Sequence, residues 1–116
     1  MAKCTLDMFE RAFEIFHTEK KDITPLIEMG MNEGSAKDTI RCYGKLLNGE
    51  IHTRQVTLMF VKFLLKELYK NRDKERLTNV ILAFDKKYDF REKNYNEPNI
   101  RARMIVDEYR LKVSKI

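Results

Sequence analysis

The stretch Thr57 to Tyr69, TLMFVKFLLKELY, constrains the fold more than any other part of this 116-residue chain. Its large apolar residues fall on almost every side of a helix, and they are Leu58, Met59, Phe60, Val61, Phe63, Leu64, Leu65 and Leu68. A surface helix needs only one apolar stripe of about 100°, so a helix that is apolar all round is normally enclosed by neighbours. At about 1.5 Å per residue it is near 20 Å long, too short to cross a ~30 Å hydrocarbon layer. We therefore expect a central core helix of a soluble domain without membrane contact.

Apolar residues recur at helical spacing on both sides of this stretch, next to residues that typically begin or end helices. These signals predict further helices from Thr5 to about Lys20, from Pro25 to Met29, from Ser35 to Leu47, from Lys74 to Tyr88 and from Pro98 onwards. Ser35 and Asp38 have the spacing of a capping box, and Thr53 is a candidate cap for the central helix. With few Gly and Pro residues, the chain is expected to be all-α, a compact bundle of five to six helices around the buried central helix. Residues 1–116 are expected to form a single helical domain.

The net charge of +5 is unevenly distributed along the chain. Counting Lys and Arg against Asp and Glu gives −3 for residues 1–34, +5 for residues 35–72 and +3 for residues 73–116. A basic surface of this kind suits a polyanion, because each phosphate that it neutralises releases condensed counterions. The alternative is a basic protein whose charged side chains are simply hydrated.

The predicted helix from Ser35 to Leu47 has two distinct faces. Lys37, Arg41 and Lys45 recur every four residues on one side, and no acid on that stripe is expected to neutralise them. The chain here is predicted to have a short helix, a glycine-containing turn and a second helix with a basic stripe. A helix-turn-helix has the same order. We therefore expect a helix-turn-helix-like unit, in which Lys37, Asp38 and Arg41 face base edges and Lys45 and Arg54 contact phosphates. The alternative is a hydrated lysine and arginine face.

A second cluster of polar residues falls in DFREKNYNEP, which is predicted to be a loop before the last helix. Its candidate nucleic-acid contacts are Arg91, Lys93, Asn94 and Tyr95, joined by Arg101 and Arg103 in the first turns of the last helix. Cations are unfavourable at a helix N-terminus, so a phosphate held there would explain the two arginines. The alternative is a set of ion pairs that Arg101 and Arg103 make with Glu97, Asp107 or Glu108.

The sequence contains no motif for catalysis. It lacks a glycine-rich phosphate loop, a Gly-x-Ser-x-Gly motif and paired histidines, and its acids are scattered at helical spacing. Cys4 and Cys42 have neither metal-ligand nor disulfide-framework spacing and suit a reducing compartment. The N-terminus has no continuous apolar run of the kind found in a signal peptide. We expect no enzyme activity, no catalytic residue, no metal and no cofactor, and a cytoplasmic location.

Several segments resemble helical domains of bacterial proteins linked to restriction and DNA defence. They are SAKDTIRCYGKLLNGEIHTR from Ser35, FVKFLL, LAF, KKYDFREKNYN and RMIVDEY, with matching positions at Leu47, Gly49, Arg54, Phe60 and Tyr109. In such proteins a domain of this type precedes a nuclease domain, sometimes of the His-Asn-His kind. The resemblance implies a DNA-recognition module, including one that reads modified bases. No nuclease motif follows in these residues, which implies an excised domain or a free-standing relative.

Together these features predict a nucleic-acid-binding domain of a bacterial or phage defence or regulatory system, with duplex DNA as its partner. The alternative is a protein-binding regulator or inhibitor that docks on a larger nucleic-acid enzyme, through the same basic surface or an apolar face of the first helix. Homodimerisation suits either function, because groove-reading domains often pair to cover two half-sites.

Overall fold

The central stretch does form a helix, one of six α-helices in the part of the chain that the structure describes. This structure is a computed structural model, and it describes residues 4–52 and 56–116. The helices are α1 (Leu6–Phe16), α2 (Thr24–Glu28), α3 (Glu33–Leu47), α4 (Leu58–Lys70), α5 (Lys74–Tyr95) and α6 (Ile100–Val113). No β-strand occurs within these ranges, so the all-α prediction is confirmed.

The chain divides into two compact units, and their boundary lies inside α3, between Gly44 and Lys45. The first unit contains α1, α2 and most of α3. The second contains the last turn of α3 together with α4, α5 and α6. The expectation that residues 1–116 form a single domain stays a prediction.

In the first unit, α1 begins as predicted and ends earlier than predicted. Thr5 caps it, and its hydroxyl accepts a hydrogen bond from the Met8 amide at 3.3 Å. The predicted end near Lys20 is wrong, because α1 stops at Phe16. Beyond that point the Thr18 hydroxyl donates to the Ile15 carbonyl at 2.7 Å, and Lys21 adopts a left-handed conformation with φ of 47°. A hydroxyl that binds the backbone in this way competes with helix continuation.

The start of α3 also differs from the prediction. Asn32, not Ser35, provides the cap: its side-chain oxygen accepts a hydrogen bond from the Ser35 amide at 2.7 Å, and its carbonyl accepts one from the Ala36 amide. The helix therefore begins two residues before Ser35, and the capping box at Ser35 and Asp38 is wrong. Asparagine is as good a cap as serine, so the earlier of two adequate caps defines the start.

Within the second unit, α4 packs against α5 and α6, and α5 packs against α6. The α4 side chains that are buried are Phe60, Val61, Phe63, Leu64, Leu65 and Leu68, whereas Leu58 and Met59 at its start are exposed. Thr57 caps α4, since its hydroxyl accepts a hydrogen bond from the Phe60 amide at 3.2 Å. Thr53, the cap considered from sequence, lies outside the described residues.

The end of α3 is tied to α5 inside the second unit. The Asn79 side-chain amide donates to the Leu47 carbonyl at 3.0 Å, and Lys86 donates to the Gly49 carbonyl at 3.3 Å. Gly49 has a φ of +77°, a left-handed conformation that glycine adopts without steric cost. The predicted stop after Leu47 is thus confirmed, and the carbonyls at this helix end are bound by side chains.

Candidate nucleic-acid interface

The basic stripe on α3 exists, but acids neutralise part of it. The side chains of Lys37, Arg41 and Lys45 are exposed. Glu33, one turn before Lys37 on the same stripe, pairs with Lys37 at 2.9 Å. Asp38 pairs with Arg41 at 3.2 Å. The expectation of a stripe without a neutralising acid is therefore wrong, because the true helix start brings Glu33 onto the helix, four residues before Lys37.

The opposite face of α3 packs onto α1 within the first unit. Tyr43 is fully buried, and its hydroxyl donates to the Phe9 carbonyl at 2.9 Å. The Tyr43 ring meets the Phe13 ring edge-on with centroids 5.3 Å apart. Ala36 and Ile40 are also buried. This packing leaves Lys37, Asp38 and Arg41 on the exposed side of the helix, while Lys45 lies beyond the boundary between the two units.

The second predicted contact region is not a loop. α5 runs to Tyr95, seven residues beyond the predicted end at Tyr88, so Arg91, Lys93, Asn94 and Tyr95 lie in its last turns. Asn96, with φ of 52°, ends the helix in a left-handed conformation. The last helix begins at Ile100 and not at Pro98. Arg54, the remaining candidate phosphate contact, lies outside the described residues.

Two of the predicted DNA-contacting arginines make ion pairs within the second unit. Arg91 binds Glu97 with two hydrogen bonds, at 2.7 and 3.0 Å, across the turn between α5 and α6. Arg103 of α6 binds Glu92 of α5 at 2.7 and 3.1 Å and also contacts Asp89. The alternative of ion pairs thus describes Arg103, although its partners are not the predicted Glu97, Asp107 or Glu108. Both glutamates have a pKa below the usual value, chiefly because an arginine donates hydrogen bonds to their ionised forms.

The other candidates near the end of α5 remain accessible. Lys93 is exposed, and the Asn94 side chain donates to the Phe90 carbonyl at 2.8 Å. Tyr95 is 59% exposed, and the Arg91 guanidinium lies 5.4 Å from its ring centroid. The Phe90 ring also lies beside Tyr95, in a T-shaped arrangement with centroids 6.0 Å apart. Arg101 is exposed on the first turn of α6, away from the pairs that hold Arg103.

A stronger cationic face lies on α4, the helix that the sequence predicts to be the central core helix. Lys62, Lys66 and Lys70 recur every four residues, and all three side chains are exposed. None of them makes an ion pair within the part of the chain that the structure describes. At about 1.5 Å per residue, the three lysines extend over roughly 12 Å of one helix face. The signal was visible in the sequence, because these lysines form the only continuous polar stripe of the central helix.

No group of three or more His, Cys, Asp and Glu side chains is arranged to hold a metal ion in residues 4–52 and 56–116. Neither Cys4 nor Cys42 forms a disulfide within the described residues. None of the described helices combines the length and the apolar character that crossing a membrane requires.

Comparison with known proteins found no relative of this chain. The chain matches no protein-family model, and no curated protein or solved structure is significantly similar to it.

Proposed function

We propose that this protein binds nucleic acid, duplex DNA in particular, through basic helix faces and without catalysing a reaction. The observation that carries the proposal is the α4 stripe. Its residues Lys62, Lys66 and Lys70 are exposed and make no ion pair among the described residues. A cation that has no carboxylate partner can neutralise a phosphate without first breaking an internal pair. Neutralised phosphates supply most of the sequence-independent affinity of DNA-binding proteins.

The α3 stripe supports the same function in a different way. Its Arg41 side chain is 65% exposed, and the Asp38 carboxylate holds the guanidinium at 3.2 Å. Exposed ion pairs of this kind contribute about 0–1 kcal/mol, so a guanine edge or a phosphate can replace Asp38 as the partner of Arg41. In the first unit we propose base contacts for Lys37, Asp38 and Arg41. In the second unit, taken by itself, we propose phosphate contacts for Lys45 and the α4 stripe. A helix-turn-helix-like role for α2 and α3 belongs to this proposal.

The arginines at the junction of α5 and α6 contribute less to the proposed DNA binding. Arg91 and Arg103 already have carboxylate partners in paired hydrogen bonds, which are among the stronger polar contacts in proteins. Lys93, Asn94, Tyr95 and Arg101 remain candidates for secondary contacts. A cytoplasmic location and a role in DNA defence or regulation, as in the proteins that the sequence resembles, are part of the same proposal.

A binding assay with a matched control tests this function. Fluorescence anisotropy with a short labelled duplex compares the native chain with a Lys62→Gln/Lys66→Gln variant, in which glutamine keeps the helix propensity of lysine. We expect its affinity to fall on the order of tenfold or more, because two phosphates are no longer neutralised. The control Lys20→Gln/Lys115→Gln removes the same charge from exposed positions outside both stripes and is expected to bind nearly normally. An equal fall in affinity in both variants would mean that only net charge matters.

A separate variant tests the contribution of α3 to DNA binding. Arg41→Ala/Lys45→Ala is expected to weaken binding and to flatten its salt dependence, since at least one phosphate is no longer neutralised. If Arg41 reads a base, the variant also discriminates less between duplex sequences. Unchanged affinity across a salt titration would remove α3 from the interface and leave α4 as the DNA-binding surface.

A protein-binding regulator is the second candidate, and one feature of α6 favours it. Ile100, Met104 and Leu111 are 69%, 66% and 72% exposed, and their spacing places them on one side of the helix. Exposed apolar side chains that share a face are typical of protein-binding surfaces. A Met104→Glu variant that keeps DNA binding but loses a stable protein partner in size-exclusion chromatography would favour this function. A duplex shift at moderate salt without any such partner favours the first.

A further inference from the structure

A cleft of about 580 Å³ lies in the second unit, where the N-terminal ends of α4 and α6 come together. Its volume is within the range of about 300–1,000 Å³ that is typical of small-molecule sites. Most of the wall is apolar, and the residues on it include Val56, Leu58, Tyr88, Pro98, Ile100 and Arg101. Duplex binding by the lysine stripe does not require this cleft, whereas Ile100 belongs both to the wall of the cleft and to the exposed apolar face of α6.

The N-terminus of α6 at this cleft lacks a side-chain cap. Asn99 occupies the cap position, but its side-chain amide donates to the Glu97 carbonyl at 3.0 Å and its oxygen accepts no amide of the first turn. The first turn contains no acid and carries Arg101 instead, although the positive end of a helix dipole disfavours a cation. Arg103 has an explanation in its pairs with Glu92 and Asp89, whereas Arg101 has no ion pair within the described residues. Uncapped amides beside an arginine form an arrangement suited to an anion.

Tyr88 of α5 provides an independent indication that a polar ligand belongs here. The residue is only 4% exposed, and its ring stacks on Phe84 with centroids 5.9 Å apart. Its hydroxyl makes no hydrogen bond to any described residue and is not among the fully enclosed polar atoms, and Tyr88 is one of the residues that line the cleft. Burial raises the pKa of Tyr88 to about 12, although Arg103 and Arg91 oppose the shift. Since even an unshifted phenol, with a pKa of about 10, is protonated at neutral pH, the hydroxyl is able to donate to an anion.

We propose that this cleft binds a phosphate monoester carried on an apolar or aromatic group. The amides of Ile100 and Ala102 and the Arg101 guanidinium would take the phosphate, and the Tyr88 hydroxyl would donate a further hydrogen bond to it. Leu58, at the start of α4, would contact the carbon part of the ligand. A free nucleoside monophosphate and the 5′-phosphorylated end of a nucleic acid share this chemistry. The site is separate from the lysine stripe and stands whether or not α4 binds DNA.

Titration with phenyl phosphate, followed by NMR of the backbone amides, tests the site. We expect saturable shifts at residues 100–102 and none with benzyl alcohol, which has the ring but no phosphate. Tyr88→Phe keeps the buried ring and removes the hydroxyl, and Arg101→Gln removes the cation. Each is expected to raise Kd roughly tenfold, the usual effect of removing a hydrogen bond to a charged group. The control Lys115→Gln removes one exposed charge away from the cleft and should leave Kd unchanged.

Each outcome of the phenyl phosphate titration either supports or overturns the proposed site. Shifts that are absent, equal with benzyl alcohol, or unaffected by Tyr88→Phe and Arg101→Gln would overturn the proposal. Competition against phenyl phosphate then identifies the source: a 5′-phosphorylated oligonucleotide that competes better than its 5′-hydroxyl counterpart indicates end recognition, and competition by a nucleoside monophosphate alone indicates a free ligand. The Lys62→Gln/Lys66→Gln variant should still bind phenyl phosphate, so failure of the DNA proposal and failure of this one are distinguishable.

Discussion

At the scale of single residues, two buried tyrosines differ in whether the hydroxyl group has a hydrogen-bond partner. Tyr43 and Tyr88 are both less than 5% exposed. The Tyr43 hydroxyl donates to the Phe9 carbonyl, whereas the Tyr88 hydroxyl has no hydrogen bond among the described residues. Both phenols are protonated at neutral pH, as an ordinary phenol is, and burial raises their pKa further. Only the first is needed to hold two helices together.

The same substitution at these two positions should therefore have different effects on stability. Tyr43→Phe removes a buried hydrogen bond, and we expect the free energy of unfolding to fall by about 1 kcal/mol. Tyr88→Phe removes no bond, and its effect should stay within about 0.5 kcal/mol. Urea unfolding of both variants measures the difference. A larger destabilisation by Tyr88→Phe would show that its hydroxyl has a structural partner and is not available to a ligand in the cleft.

At the scale of helices, the sequence predicts where helices exist better than where they end. The apolar spacing of Leu77, Val80, Ile81, Phe84 and Tyr88 correctly gave the buried face of α5. It did not reveal that α5 continues to Tyr95. Asp89 and Glu92 in the extension bind Arg103, which is 14 and 11 residues away along the chain, and no local pattern reports such pairs. The same limit applies to two candidate site residues, because Arg91 and Arg103 look available in the sequence until their carboxylate partners are known.

Substitution of Gly49 tests the turn that ends α3. With φ of +77°, alanine at this position would be held in a left-handed conformation, and we expect Gly49→Ala to destabilise the protein by about 1–2 kcal/mol. The cost is conformational, since a Cβ would meet Asn79 only at an ordinary contact distance of 3.6 Å. Gly34→Ala, in the first turn of α3, is the control and should be neutral or stabilising by up to about 1 kcal/mol. Thermal unfolding of both variants measures the contrast, and equal effects would contradict it.

The ion pairs between α5 and α6 predict a pH dependence of stability. Arg103 donates hydrogen bonds to Glu92 and thereby lowers the pKa of that carboxyl below its ordinary value of 4.5. A carboxyl with a lowered folded-state pKa contributes stability that is complete above the unfolded value and is lost as pH falls through the folded value. Arg103→Gln should therefore be less stable than the native chain at neutral pH, and the difference should shrink as pH falls below the ordinary carboxyl pKa of 4.5.

Melting temperatures at several pH values measure this difference. Arg101→Gln, on the same helix but without an ion pair among the described residues, is the matched control and should show no pH-dependent difference from the native chain. A gap between Arg103→Gln and the native chain that stays constant from neutral to acidic pH would mean that Glu92 does not stabilise the folded state.

At the scale of the whole molecule, positive charge is divided between helix faces of different character. The α3 stripe has Glu33 and Asp38 beside its cations. Arg91 of α5 and Arg103 of α6 pair with carboxylates, whereas the α4 lysines make no ion pair in the described part of the chain. Net charge alone does not distinguish these cases. The sequence predicts the position of each basic stripe. The carboxylate partner of each cation is visible only in the structure.

The dependence of duplex binding on salt tests most directly whether the α4 stripe binds DNA. If Lys62 and Lys66 neutralise phosphates, the slope of log K against log salt for the native chain should become less steep by about 2 in Lys62→Gln/Lys66→Gln, since each neutralised phosphate accounts for about 0.9 of the slope. The control Lys20→Gln/Lys115→Gln should keep the native slope. A native chain that binds duplex DNA with the same slope as the α4 variant, or that shows no binding at low salt, would contradict DNA binding through α4.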